Sequence, residues 1–226
     1  MIQSKKDYKY YVECDLKAHA LTSVSFYDYW WRDCLRFQLR LRKIEYLHNV
    51  KQNNLLCRIY LFILELINHF LATRLGFSIP KNVFGPGLCI VHYGTIVVSP
   101  LSKIGAWCRI HPSTSVGEYN GAPQCGDFVY IGPGAKLYGN ITIGNNVAIG
   151  ANAVVNKSFG SNITIAGIPA KIISNNGAKE NNIYPSYRMI DTAPVENERY
   201  VPYFYSTYNG KSTIKKRESD KKKIIV

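Results

Sequence analysis

The sequence predicts a mainly β protein: a β-helix solenoid over residues 78–174, an N-terminal helical domain over residues 1–77, and a Tyr-rich basic tail over residues 175–226 that is partly disordered. Three observations predict it. An apolar residue recurs at Phe84, Ile90, Ile96, Ile104, Ile110, Val116, Cys125, Ile131, Leu137, Ile143, Ile149 and Val155, every sixth position except across Ile96 to Ile104 and Val116 to Cys125. Glycine follows that marker at Gly85, Gly105, Gly117, Gly126, Gly132, Gly144 and Gly150. Small or β-branched residues fill the fifth slot, as at Cys108, Thr114, Val129, Ala135, Val147 and Ala153. A helix needs a period of 3.6 and a half-buried strand a period of 2. A period of six suits short flat strands joined by tight turns, three to a coil, with the marker stacking inward on its copy about 4.8 Å away. Stacked coils of that kind form a solenoid.

Ahead of the repeat, Phe26, Trp30, Phe37, Leu41, Ile44 and Leu47 fall at helical spacings over residues 26–49, interleaved with Arg32, Arg36, Arg40, Arg42 and Lys43. Ser25 stands where an N-cap belongs. A second helix is expected from Asn54 to Leu75, stopped by Gly76. Its centre, Ile59 to Leu64, is apolar on every side, but Arg58, Glu65, Asn68, His69 and Arg74 interrupt it short of the roughly 20 apolar residues of a membrane span. The expectation is a helix buried in a bundle or at an oligomer contact, with peripheral membrane contact as the other reading. Ser78 to Phe84 leads into the solenoid. Past Val155 the period dissolves, and Ile165 to Lys171 closes the domain. Of the tail, the tyrosines Tyr184 to Tyr208 are expected to pack on a coil face, and the last fifteen residues are too charge-rich to do so.

Composition narrows the function class. The formal charge is +13 over 226 residues. It divides as +5, +4 and +4 over the three segments, so no concentrated patch marks a nucleic-acid surface. Anionic cofactors and phosphorylated or lipid-linked substrates suit such mild positivity. The cysteines Cys14, Cys34, Cys57, Cys89, Cys108 and Cys125 form no C-x-x-C pair and no zinc spacing, so no metal is expected. The first residues, Met1 to Asp7, hold no apolar signal region. A cytoplasmic setting is expected, with the inner face of the membrane as the alternative.

The hexapeptide run, the segment Gly87 to Thr95 and the closing Ile165 to Lys171 together resemble serine acetyltransferases, and more closely the serine-acetyltransferase-like enzymes of bacterial surface-polysaccharide clusters. The resemblance covers about residues 25–174. It implies a left-handed parallel β-helix, a homotrimer, and acetyl-CoA-dependent acetylation of a hydroxyl in clefts between subunits. A hydroxyl is a poor nucleophile until a base takes its proton, and histidine suits that task near neutral pH. His92 aligns with the family's catalytic histidine. Its neighbour Tyr93, with Ser78 and His111, are the candidate acceptor-binding residues. Ile90 and Ile110 lie three turns apart and so share a face, which brings His111 one rung from His92; His111 then lines the acceptor pocket, supports the second proton step, or merely packs on its rung. Ser78, Glu118, Asp127 or a backbone carbonyl orients His92, and a backbone N–H near the loop Tyr119 to Gln124 serves the oxyanion. Resemblance places Pro133, Ala151, Asn156, Lys157 and Lys171 on CoA-contact positions, the two lysines as point charges for phosphates.

Departures from the family bear on the acceptor. The family's aspartate before the catalytic histidine is Val91 here, its loop histidine aligns near Ala122, and the aspartate that orients the catalytic histidine falls at Ser78. A site without those charges favours a sugar hydroxyl of surface polysaccharide over L-serine, which is the alternative acceptor. Two readings of other classes are a non-catalytic scaffold, which binds no CoA, and a membrane-surface protein, which binds liposomes without acyl transfer.

Overall fold

The computed structural model describes residues 1–51 and 54–183, so the tyrosine cluster from Tyr184 onward and the charged C-terminus lie outside the described residues. Four helices precede the solenoid: α1 (Lys5–Ala18), α2 (Phe26–Trp31), α3 (Asp33–Val50) and α4 (Leu55–Leu75). The expected helix over 26–49 is two, because Arg32 leaves helical geometry at φ −101° and ψ 79°. Ser25 does cap α2, in a reciprocal capping box with Asp28. Helix α1 lies within the predicted helical domain but outside the two helices that the apolar spacing marks. Its start signal was present, since Ser4 Oγ accepts the Asp7 N–H at 3.1 Å, but a buried Asp15 interrupts its apolar seam.

Helix α4 has the expected bounds, with Asn54 accepting the Cys57 N–H and Gly76 closing it in the left-handed region at φ 79°. That φ is open to glycine at little cost. A Cβ at Gly76 would also stand 3.2 Å from the Thr95 nitrogen. The expectation of a helix buried in a bundle is corrected. Only Leu64, Asn68, Leu71 and Leu75 are buried, while Leu56, Ile59, Phe62, Ile63, Leu66, Ile67 and Phe70 are exposed. Buried positions spaced three and four apart are one stripe of a helix, and α3 is the element it packs on.

The strands wind as five triangular coils. One face stacks β1 (Phe77–Ser78), β3 (Ile96–Val98), β6 (Thr114–Gly117), β9 (Lys136–Tyr138) and β12 (Val154–Val155). A second stacks β4 (Lys103–Ile104), β7 (Gln124–Cys125) and β10 (Thr142–Ile143), extended by single bridges at Phe84 and Phe159. The third stacks β2 (Cys89–Ile90), β5 (Arg109–Ile110), β8 (Tyr130–Ile131), β11 (Val147–Ile149) and β13 (Ile163–Gly167), and ends with an antiparallel partner, β14 (Ala170–Ser174). The coiling does not stop at Val155. Phe159 bridges Ile143 and Ile165 pairs with Ile149; a shorter corner hides this coil from a strict count of six.

The markers are the core. Ile90, Ile110, Ile131 and Ile149 are wholly buried on one face, as are Val116 and Val155 on another, where the marker above them is Val98. The expectation for Ile96 is corrected, since it pairs with Thr114 in the fifth slot. The two extra residues of that coil lie in the corner over residues 91–95 and not after Ile96. Each such side chain contributes on the order of 1.5–3 kcal/mol by leaving water. The same apolar cluster takes in Phe37, Leu41, Leu71 and Leu75 from α3 and α4. At the joint lies Arg42, fully buried. It donates to Asp15 at 2.8 and 3.3 Å, to Glu45 at 3.0 Å, and to the Phe84 and Gly85 carbonyls at 2.9 and 2.6 Å. Asp15 also accepts the Gly87 and Leu88 N–H groups at 2.8 and 2.9 Å. Burial opposes the guanidinium's charge, but Asp15 and Glu45 outweigh it and hold its pKa above the ordinary value.

Replacing Arg42 with Met leaves two carboxylates buried without their cation. Breaking a buried pair in this way costs about 3–5 kcal/mol, so urea unfolding of Arg42→Met should show a loss of that size; an unchanged midpoint would deny the joint its role.

Candidate active site

The corner that carries His92 joins β2 to β3 and is anchored from below by α4. The Gly94 N–H donates to the Leu75 carbonyl at 2.9 Å and the Ile96 N–H to Gly76 at 3.0 Å. Gly94 sits at φ 130°, and a Cβ there would come within 2.9 Å of the Pro112 Cβ on the next rung. His92 and Tyr93 project from this corner and are exposed. Among the described residues no hydrogen bond reaches the His92 ring.

Parallel register then orders the neighbours. Ile90 pairs with Ile110, Ile110 with Ile131, and Ile131 with Ile149. The residues two places beyond the lower markers are therefore Pro112, Pro133 and Ala151, one per rung down a single edge of the prism. The corner above them is two residues longer, since Ile96 pairs with Thr114, so that Gly94 lies against Pro112 and His92 stands in the extra length at the top of the edge. Pro133 and Ala151 are exposed. Lys171 is exposed on β14 opposite Ala166, which follows the Ile165 paired to Ile149, so it stands at the far end of that edge. Asn156 and Lys157 are exposed too, but follow β12 at the next edge, where the Lys157 ammonium lies 5.4 Å from the Phe159 ring centre. The CoA-contact candidates thus divide between two edges within one chain.

The proposed orienters of His92 separate in the same way. Ser78 is on β1 beside Val97 and is exposed. Glu118 accepts from Ser99 Oγ at 2.7 Å, and Asp127 accepts the Ala106 N–H at 2.7 Å, each at an edge other than that of His92. The loop Tyr119 to Gln124 follows β6 at Glu118's edge, so it stands across one face of the prism from His92. Ala122 in that loop is buried. His19, in the helical part, is paired with the buried Gln38 at 3.3 Å.

His111 sits where the repeat places it, on the rung beside Val91, with its N–H bonded to the Ile131 carbonyl at 3.2 Å. Its ring centre is 5.0 Å from that of Tyr130. Its Nε2 is buried and has no hydrogen-bond partner among the described residues. Arg109, passed over in the sequence, lies two residues earlier on the same outward face, and its Nε is likewise buried without a partner. The signal was only a cation in an outward slot beside a marker. Burial first, then Arg109 and His92, lower the His111 pKa from 6.5 to about 4. Between those values the unfolded chain binds more protons than the folded one, so the neutral ring's support of the fold is complete above pH 6.5 and lost as pH falls toward 4. In an NMR titration, His111 should stay neutral from pH 8 to pH 5.5; titration near 6.5 would contradict the packing described.

Comparison with known proteins follows from this geometry. The bacterial transferase hexapeptide family (six repeats) matches residues 122–157. A serine acetyltransferase of Synechococcus elongatus is 33% identical over 121 residues, covering 51% of this chain and 50% of its own length. That of Staphylococcus xylosus is 32% identical over 136 residues, covering 58% and 63%. The chain thus spans half to just under two thirds of these curated relatives. The structure of serine acetyltransferase from Brucella abortus strain S19 superposes with a TM-score of 0.61 at 25% identity, covering 76% of this chain and 71% of that one. A serine acetyltransferase solved in complex with CoA gives 0.59 at 26% identity, with 76% and 71% covered. The solenoid is the left-handed parallel β-helix of the hexapeptide transferases, and the resemblance to serine acetyltransferases holds in sequence and in structure.

Proposed function

We propose that this chain is an acetyl-CoA-dependent O-acetyltransferase of the serine acetyltransferase type, with His92 as its general base. The observation that carries the reading is the single edge that runs from the His92 corner past Pro112, Pro133 and Ala151 to Lys171, on a solenoid similar to one solved with CoA. Small exposed residues along an edge leave room for a thin, amide-bearing pantetheine arm, and a lysine at its far end offers charge to the phosphates. His92 takes the acceptor's hydroxyl proton as the oxygen bonds to the thioester carbonyl carbon. The tetrahedral intermediate then expels the sulfur, the C–S bond breaks, and the imidazolium returns the proton to the thiolate. A homotrimer belongs to this reading, because a neighbouring copy would bring a loop such as Tyr119 to Gln124 to the His92 edge.

On the acceptor, the relatives favour L-serine over the polysaccharide hydroxyl expected from the sequence, since those compared are serine acetyltransferases. The sugar keeps one observation in its favour: Val91 and Ala122 offer no charge where the family places its ligands. A transfer assay with L-serine and with neutral oligosaccharides decides between them.

His92→Ala should lower kcat by about 10²–10⁴, the usual worth of a general base, while CoA affinity is retained; equal turnover would refute the assignment. Lys171→Ala should raise the KM for acetyl-CoA with kcat kept, the pattern of lost uniform binding. Absence of any CoA binding would leave a scaffold as the better description.

A further inference from the structure

Arg109 and His111 flank the inward marker Ile110, so their side chains share the outer face of that rung. Their neighbours on that face come from the rungs on either side. Cys89 and Val91 stand on the rung above, and Tyr130 lies on the rung below. His92 follows Val91 at the corner. Both Arg109 Nε and His111 Nε2 are buried and unpartnered among the described residues. A buried polar nitrogen left without a partner is costly, and two of them lie on this one outer face. Within the solenoid the carboxylates Glu118 and Asp127 are committed to Ser99 and the Ala106 N–H at other edges.

We infer that Arg109 and His111 hold a carboxylate of the acceptor, so that the substrate is a hydroxyl compound bearing a carboxylate, with its hydroxyl presented to His92. This rests on the reading of His92 as the general base. A guanidinium supplies a fixed charge and a planar fork matched to two carboxylate oxygens. The imidazole adds a neutral N–H. The titratable and charged groups around His111 are Arg109 on its own strand, His92 on the rung above and Tyr130 below, with His19 from the end of α1 also feeling Arg109. Arg109 and His92 both push His111 toward the neutral form, and a bound carboxylate pushes it back. The cation that sequence comparison found missing from the loop near Ala122 is thereby supplied from β5. Two sources share this chemistry: a free hydroxy amino acid such as serine, and a uronic acid unit of a glycan.

The test uses the full-length protein with paired acceptors: L-serine against L-serinamide, and galacturonate against galactose. In whichever pair is acetylated, the carboxylate member should be favoured by roughly 100-fold in kcat/KM, the worth of a hydrogen bond to a charged group. Arg109→Gln should collapse that ratio through KM, and Arg109→Lys should restore part of it. Independently, the carboxylate member should raise the His111 pKa by about one unit in an NMR titration, as an approaching opposite charge does, and the neutral member should not. Equal use of charged and neutral acceptors by the wild type, or equal loss for both in Arg109→Gln, overturns the site; the wild-type ratio and the titration decide even if the variants fold poorly. A His111 shift with the carboxylate but no acetyl transfer to any acceptor keeps the site and removes the transferase reading. Transfer without charge preference or His111 shift does the opposite.

Discussion

The buried guanidinium of Arg42 is the constraint on which the rest depends. A cation taken fully out of water survives only if every donor is used and opposite charge lies in contact, and here α1, α3 and the first coil each contribute. Asp15 binds it from α1, Glu45 from α3, and the Phe84 and Gly85 carbonyls from the start of the solenoid. Asp15 also takes the N–H groups that lead into β2. Since β2 ends two residues before His92, this joint sets where the first coil begins and how the His92 corner faces. The Leu75 and Gly76 carbonyls hold the same corner from the other side.

From that start, register carries position down the molecule. Parallel pairing leaves Pro112, Pro133 and Ala151 one above another on a single edge, and the longer corner that carries His92 caps that edge, with Gly94 against Pro112. The same pairing sets Val91, His111 and Gly132 side by side. A solenoid builds its sites as columns rather than as a pocket of converging loops. Residues that belong to one binding groove by resemblance, such as Ala151 and Lys157, can therefore lie on different edges of a single chain.

Charge at this site is arranged differently from what the lost family ligands imply. Val91 and Ala122 remove a carboxylate and a cation at the expected places. Yet Arg109 and His111 face outward beside His92 with unused donors, and the relatives compared act on serine by name. Residue-by-residue transfer from a family accounts for ligands only at the matched positions. The carboxylate ligands proposed on β5 lie on another rung and escape it.

By itself the sequence determined the solenoid, most of its inward markers and the nearness of His111 to His92, because a six-residue period leaves little choice of register once the core must be apolar. At Ile96 and Val98, both apolar and two apart, it left two choices, and the pairing of Val98 with Val116 decided. It also determined both ends of α4, through Asn54 and Gly76. Only the tertiary structure decided that α1 exists as a partner of α3, since its seam is completed by an ion pair rather than by apolar residues. It decided too that the coiling runs on through Phe159 to β13, that α4 turns an apolar face outward, and that Glu118 and Asp127 are committed away from His92. Those outcomes depend on which donors meet which acceptors across many residues, and hydrogen-bond satisfaction, unlike hydrophobic period, leaves no regular mark on the chain.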